Sequence, residues 1–268
     1  MFLGRHTELS LLTKRLDYIT RTGRGLSVAI RGRHQVGKSR LAQELCDRSG
    51  LPYLYFTAVK GASVVQSTGR FPTELANSHL PSSRLPTPGG GWGDMLRVLA
   101  GALPDRPCIV VLDELPWLSE QDETFDGHLQ VVWDRLMSNR PVLLLLLGSD
   151  LHMMQRLIAY DRPFYGRADN LLLGPLNLAE TATVTGMTGS DAIDAHLITG
   201  CLPGTLLRWP AGTLREHCEH RRQPCRGDQL RNAVPPAATA HGRQADPDGR
   251  PATVDQRRQA CPVPGCRQ

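Results

Sequence analysis

No stretch of this 268-residue chain approaches the roughly 20 consecutive apolar residues that a membrane-spanning helix needs. The longest run, Val142 to Leu147, has the length of a strand and is bounded by Pro141 and Gly148, so no membrane partner is expected. The opening Met1-Phe2-Leu3-Gly4-Arg5-His6 turns polar too early for a secretory signal, which implies a cytoplasmic setting. Paired cysteines are also missing. The seven cysteines are odd in number and contain no Cys-x-x-Cys spacing, as expected of ordinary apolar residues in a reducing compartment. The same lack argues against zinc at His217, Cys218, His220, Cys225, Cys261 and Cys266. A basic surface on the body is absent as well. Of the net charge of +5, four charges come from the segment Ala211 to Gln268, where ten Arg face six Asp plus Glu, so nucleic acid is not an expected partner. Beyond Trp209, lysine and apolar periodicity both vanish, which predicts a disordered tail over 211–268.

What remains suits a large α/β domain with a smaller appendage, and 40% hydrophobic residues are enough to build its core. The most informative segment is Gly32-Arg33-His34-Gln35-Val36-Gly37-Lys38-Ser39, two glycines with four residues between them followed by Lys and Ser. It follows the apolar run Leu26-Ser27-Val28-Ala29-Ile30 and precedes the helical Arg40-Leu41-Ala42-Gln43-Glu44-Leu45. Glycines let successive backbone N–H groups curl around an anion, and the new helix turns its positive end toward that anion. The segment from Gly32 to Arg40 therefore predicts a nucleotide-phosphate cradle. In it, Lys38 reaches the β- and γ-phosphates and the Ser39 hydroxyl ligates Mg²⁺.

Along the chain, Leu9, Leu11, Leu12, Leu16 and Ile19 recur at helical spacing and predict a helix from Glu8 to Ile19. Tyr53 to Thr57 reads as a strand, and Val59 to Gly91 as a long irregular excursion with one short helix near Phe71 to Ala76. Trp92 to Leu103 and roughly His128 to Met137 read as helices, and Cys108 to Leu112 and Pro141 to Gly148 as strands covered on both faces. A helix over Leu151 to Ala159 and a strand at Asn170 to Leu173 complete five strands alternating with helices. That pattern predicts a parallel sheet sandwiched by helices over 1–176. Asn177 with Glu180 makes a capping-box pattern, and Asp191 reads as the cap of a second short helix ending at Gly200, so 177–210 reads as a partial helical lid.

The strand from Cys108 ends in Asp113-Glu114, where two carboxylates are useful near a cation: Asp113 to hold Mg²⁺ through water, Glu114 to polarise the attacking water. Their alternative is a plain helix cap before Leu115. The strand from Val142 ends in Gly148-Ser149-Asp150. If it lies between the two motif strands, Ser149 senses a γ-phosphate; its alternative is an N-cap, a role that suits Asp150 better.

Phe2-Leu3-Gly4-Arg5-His6-Thr7-Glu8-Leu9, the glycine-rich loop, Val111 to Leu118, Leu147-Gly148-Ser149 and Pro163-Phe164-Tyr165-Gly166-Arg167 together resemble the archaeal-type P-loop ATPases of the AAA+/STAND group. The resemblance implies ATP binding with Mg²⁺-dependent hydrolysis to ADP and phosphate, or a nucleotide-dependent switch with little turnover. It puts Phe2, Leu3 and Gly4 near the adenine. It makes Arg167 a candidate to touch the γ-phosphate of its own or a neighbouring subunit, in a homo-oligomer or with a protein partner; a surface ion pair is the alternative for that arginine. It also points to Arg208 as a second sensor and likens Thr199-Gly200-Cys201-Leu202-Pro203-Gly204 to a Gly-Gly-x-Pro turn in which Cys201 replaces a glycine. Nothing after Trp209 resembles the C-terminal domains of such relatives, so the tail is also read as a shifted frame or a truncated remnant.

Overall fold

The computed structural model describes residues 4–81 and 90–207, all of which lie in one compact unit, Met1–Arg222. The expectations for Phe2, Leu3, Arg208 and the tail therefore lie outside the described residues.

Five strands form one parallel sheet: β1 (Leu26–Arg31), β2 (Tyr53–Thr57), β3 (Cys108–Asp113), β4 (Val142–Gly148) and β5 (Ala168–Leu172), in the spatial order β2-β3-β4-β1-β5. The strand β4 lies between β1 and β3, the two strands that carry the glycine-rich loop and the carboxylate pair. Their unbroken apolar runs follow from cover on both faces. Ile109, Val111, Leu143, Leu145 and Leu147 turn toward α1 (His6–Thr22) and α2 (Lys38–Ser49). The alternate residues Cys108, Val110, Leu112, Val142, Leu144 and Leu146 turn toward the other layer. That layer is built by α3 (Val64–Ala76), α4 (Trp92–Ala102) and α6 (Phe125–Val132). It is locked by edge-to-face stacking of Phe56, Phe71, Trp92 and Phe125, with centroids 5.1 to 5.7 Å apart.

Two elements depart from the periodicity. The segment expected to be irregular holds a 13-residue helix, α3, rather than a short one near Phe71. It begins at a Ser63–Gln66 capping box and buries Ser67 and Thr68 beside Phe71 and Leu75, so half of its inner face is polar and Pro72 interrupts its interior. The helix expected from His128 starts instead at Phe125 and ends in a π-helical turn, Trp133–Met137.

After α5 (Pro116–Gln121) and α7 (Leu151–Leu157), three short helices close the described chain: α8 (Leu178–Thr185), α9 (Gly189–Thr199) and α10 (Pro203–Leu206). The Asn177–Glu180 capping box is present at α8. Asp191, expected as a cap, lies inside the first turn of α9, whose N-cap is Thr188. A capping position must fall outside the helix, and α9 starts three residues earlier than a cap at Asp191 required.

Candidate functional site

The loop leaves β1 at its carboxyl end and enters α2 at Lys38. Glycine is required at both ends of it. A β-carbon on Gly32 would run into the carbonyl oxygen of Leu173, and Gly37 has φ 97°, a left-handed backbone that L side chains rarely adopt. Between them Val36 is buried and anchors the turn, while Arg33, His34 and Gln35 face solvent, so backbone forms the concave side. Gln35 also has a positive φ of 64°. Ser39 and Arg40 are exposed in the first turn of α2, where Arg40 pairs with Glu44 at 3.3 Å.

Lys38 is only 5% exposed. Its ammonium donates to the carbonyls of Gly32 (2.9 Å) and Arg33 (3.2 Å) and to Ser149 Oγ (3.0 Å). Ser149 Oγ in turn donates to Glu114 Oε1 at 2.6 Å, and the Ser149 N–H donates to Glu114 Oε2 at 3.3 Å. Burial lowers the lysine pKa, against the attraction of the Glu114 and Asp113 carboxylates, so the pocket holds a desolvated cation beside two acids. Phosphate oxygens are the anions such a cation would meet.

Asp113 ends β3 and is 4% exposed. Its Oδ1 accepts from the Glu114 N–H at 3.0 Å and its Oδ2 from the Tyr55 hydroxyl at 2.9 Å. Glu114 takes a left-handed backbone, φ 55°, and Leu115 N–H donates to the Leu147 carbonyl at 2.9 Å. A non-glycine residue held there costs about 1–3 kcal/mol, and this strain turns the Glu114 side chain toward β4 and Ser149. For Mg²⁺, donor chemistry decides the fit: the Ser39 hydroxyl and the Asp113 carboxylate are hard oxygen donors, the kind this ion takes alongside phosphate and water.

Asp150 is the N-cap of α7, its carboxylate accepting from Met153 N–H at 2.9 Å, which leaves Ser149 free of that duty. Gly4 (φ 74°) lies against Leu176 and Glu180 at the start of the helical lid. Arg167 is a correction to its expected place beside its own subunit's γ-phosphate. It precedes β5 at the amino end of the sheet, where its carbonyl accepts from Ser27 Oγ, and the loop lies at the carboxyl end of the neighbouring strand. Its guanidinium grips Asp134 with two hydrogen bonds of 2.8 Å, the surface ion pair that was the alternative reading.

Two residues that motif spacing does not reveal complete the site. Tyr55 reaches Asp113 because β2 pairs with β3 in the register Thr57 to Asp113 and alternation puts Tyr55 on the same face. Arg5, 3% exposed, joins three segments: its guanidinium donates to the carbonyls of Val36 (3.0 Å) and Gly174 (2.6 Å), and its N–H donates to Glu180 Oε1 (2.6 Å). The signal for Tyr55 was a strand register, and for Arg5 a neighbour 175 positions away. Near the last described helices, Cys201 adopts φ 60°, a left-handed backbone that glycine takes most readily, and Pro203 stands 3.7 Å from where a β-carbon of Gly37 would sit.

Known proteins place the arrangement. The AAA ATPase domain profile matches residues 1–145. No curated protein matches the sequence. Among solved structures, the Walker-type ATPase of Pyrococcus abyssi is 17% identical, with 77% of this chain and 66% of that one covered at a TM-score of 0.56. The Aeropyrum pernix ORC1 protein in complex with DNA is 16% identical, with 83% and 65% covered at 0.55. The Aeropyrum pernix ORC2 protein, in ADPNP-ADP complexes, is 14% identical, with 86% and 71% covered at 0.56. These likenesses are of fold, and this chain spans about two-thirds of the length of the first two. No helix among the described residues is long and apolar enough to cross a membrane. Since the profile spans more than half of the sequence, the chain belongs to the AAA ATPase domain family, whose common chemistry is ATP binding and hydrolysis.

Proposed function

We propose that this chain binds ATP with Mg²⁺ and hydrolyses it to ADP and phosphate, in the manner of the STAND branch of AAA+ ATPases. One observation carries the reading. A single line of hydrogen bonds runs from Lys38 through Ser149 to Glu114, with Asp113 adjacent, so groups remote in sequence converge at the carboxyl ends of β1, β3 and β4. Lys38 and the loop amides from Gly32 to Ser39, continuing to Arg40, would hold the phosphates, and Gly4 would flank the base. Ser39 and Asp113 would hold Mg²⁺, Asp113 through water, and the ion would supply neutralisation of the phosphate charge. Glu114 accepts a proton from the water whose oxygen bonds to the γ-phosphorus as the bridging P–O bond breaks. Ser149 keeps that carboxylate aimed at the γ-phosphate position. Because Arg167 lies at the far end of the sheet, an arginine on the γ-phosphate would come from a second copy or a protein partner, and turnover by a lone subunit is slow.

Phosphate release and fluorescent-nucleotide binding by the purified protein test this. Wild type binds ATP and releases phosphate, Lys38→Ala loses binding, and Glu114→Gln binds without turnover. A Glu114→Gln protein as active as wild type would defeat the hydrolytic half.

A second reading, a switch with little turnover, draws on the ties from the lid to the loop, where Glu180 holds Arg5 and Arg5 holds Val36. If it operates, hydrogen exchange over α8 to α10 differs between ATP-analogue and ADP complexes.

A further inference from the structure

The two faces of β2 are used differently. Leu54 and Phe56 enter the core, whereas Tyr53 and Tyr55 lean onto α2. Gln43 of α2 donates to Tyr53 Oη at 3.4 Å, and Tyr55 Oη lies 2.9 Å from Asp113 Oδ2 and 3.4 Å from the Ser39 carbonyl. A phenol has one proton to give, and the shorter contact with the charged acceptor takes it. Tyr55 thus spans three elements, joining β2 to the end of β3 and to the first turn of α2, the two places that carry the oxygen donors Asp113 and Ser39.

Asp113 is held at both ends. With Oδ1 on the Glu114 N–H and Oδ2 on the Tyr55 hydroxyl, the carboxylate cannot turn about its own axis, and each oxygen keeps a lone pair for another partner. Without the phenol only the Oδ1 bond remains, and the group can rotate away from Ser39.

We propose that Tyr55 is a positioning residue for the divalent cation: its hydroxyl fixes the Asp113 carboxylate relative to Ser39 and so sets the Mg²⁺ affinity of the nucleotide-loaded protein. The inference rests on the reading of Asp113 as a cation-holding group. It goes further by assigning the orientation of that group to a strand outside the two motifs. Loss of a hydrogen-bond partner behind a metal-holding group typically weakens metal affinity about 10- to 100-fold.

The experiment measures binding of a fluorescent N-methylanthraniloyl ADP to the full chain, first in EDTA and then across a Mg²⁺ titration. Wild type, Tyr55→Phe, Asp113→Asn and Lys38→Ala are compared, and apo melting curves check that each is folded. Tyr55→Phe keeps wild-type nucleotide affinity in EDTA while its Mg²⁺ midpoint rises at least about 10-fold, and Asp113→Asn shows the same pattern more strongly. An unchanged midpoint in Tyr55→Phe, with Asp113→Asn shifted, overturns the role of Tyr55 and leaves the proposed function standing. An equal loss of affinity with and without Mg²⁺ in Tyr55→Phe overturns it too, because the phenol would then only support the fold. If Asp113→Asn itself leaves the Mg²⁺ response intact, the assignment of Asp113 fails and the inference fails with it; a Lys38→Ala protein binding nucleotide normally counts against the pocket as a whole.

Discussion

Ser149 links the lysine to the carboxylate, since its hydroxyl accepts from Lys38 and donates to Glu114. Removing its hydroxyl leaves a buried ammonium and a carboxylate without the group that links them. A hydrogen bond to a charged partner contributes about 1.5–3 kcal/mol, so Ser149→Ala is expected to slow single-turnover hydrolysis roughly 10- to 100-fold. Nucleotide binding, which the proposed function assigns mainly to the loop and Lys38, should change far less. Arg167 provides the contrast. Its pair with Asp134 is partly exposed, and such pairs contribute about 0–1 kcal/mol. Arg167→Ala should therefore leave nucleotide binding by the monomer unchanged and shift a denaturant midpoint only slightly. A loss of binding in that variant would contradict the placement of Arg167 at the amino end of the sheet. The loop residues and the Asp113–Glu114 pair were legible from spacing because their chemistry demands particular residue types in order. Tyr55 and Arg5 were not, since a tyrosine in a strand and an arginine before a helix are ordinary until the neighbours that they meet are known.

At the scale of elements, the loop works because two backbones approach closely. A methyl group on Gly32 has no space beside the Leu173 carbonyl, and a carbonyl cannot move aside as a flexible side chain can. Gly32→Ala is expected to destabilise the fold by about 1–3 kcal/mol in urea unfolding and to weaken nucleotide binding in the same variant. Gly148 is crowded by side chains instead, those of Met154 and Pro116, so a substitution there meets groups that can partly give way. The elements that periodicity located best were those with a full apolar face, such as α1, α4 and the central strands. The helix α3 escaped because Ser67 and Thr68 occupy its inner face and Thr68 spends its hydroxyl on the carbonyl of Val64, four residues back in its own helix. A period-3.6 reading of apolar residues finds only the later half of the helix, where Phe71 and Leu75 are buried.

Across the whole molecule, two buried thiols tie stability to pH. Burial pushes Cys46 and Cys108 up from an ordinary 9.0 to about 12 in the folded chain. The unfolded chain releases these protons first, so their contribution is complete below about pH 9 and is lost as pH rises toward 12. Melting temperature should fall across that window, and Cys108→Ala should flatten the alkaline limb even if it lowers the melting temperature at neutral pH. A melting temperature that held steady to pH 11 would show that the thiols ionise freely in the fold. Both cysteines sit where the sheet and its helical layers meet, Cys46 beside α1 and Cys108 at the base of β3, so their ionisation would strike both halves of the core.

The residue sequence alone determined the strand-loop-helix with its glycine-rich turn, the acidic end of a doubly covered strand and the alternation that makes a parallel sheet. These follow from local rules: glycine where backbone must curl, apolar runs where both faces are covered, lysine and carboxylate where charge is handled. Tertiary structure decided what those rules cannot reach. It set β4 between β1 and β3, which brings Ser149 between Lys38 and Glu114; it put Arg167 at the amino end of the sheet, away from the loop; and it laid β2 beside β3 so that a tyrosine meets an aspartate 58 positions later. Strand order and register are settled by packing among distant segments, and a side chain acquires its partner only when that packing is complete.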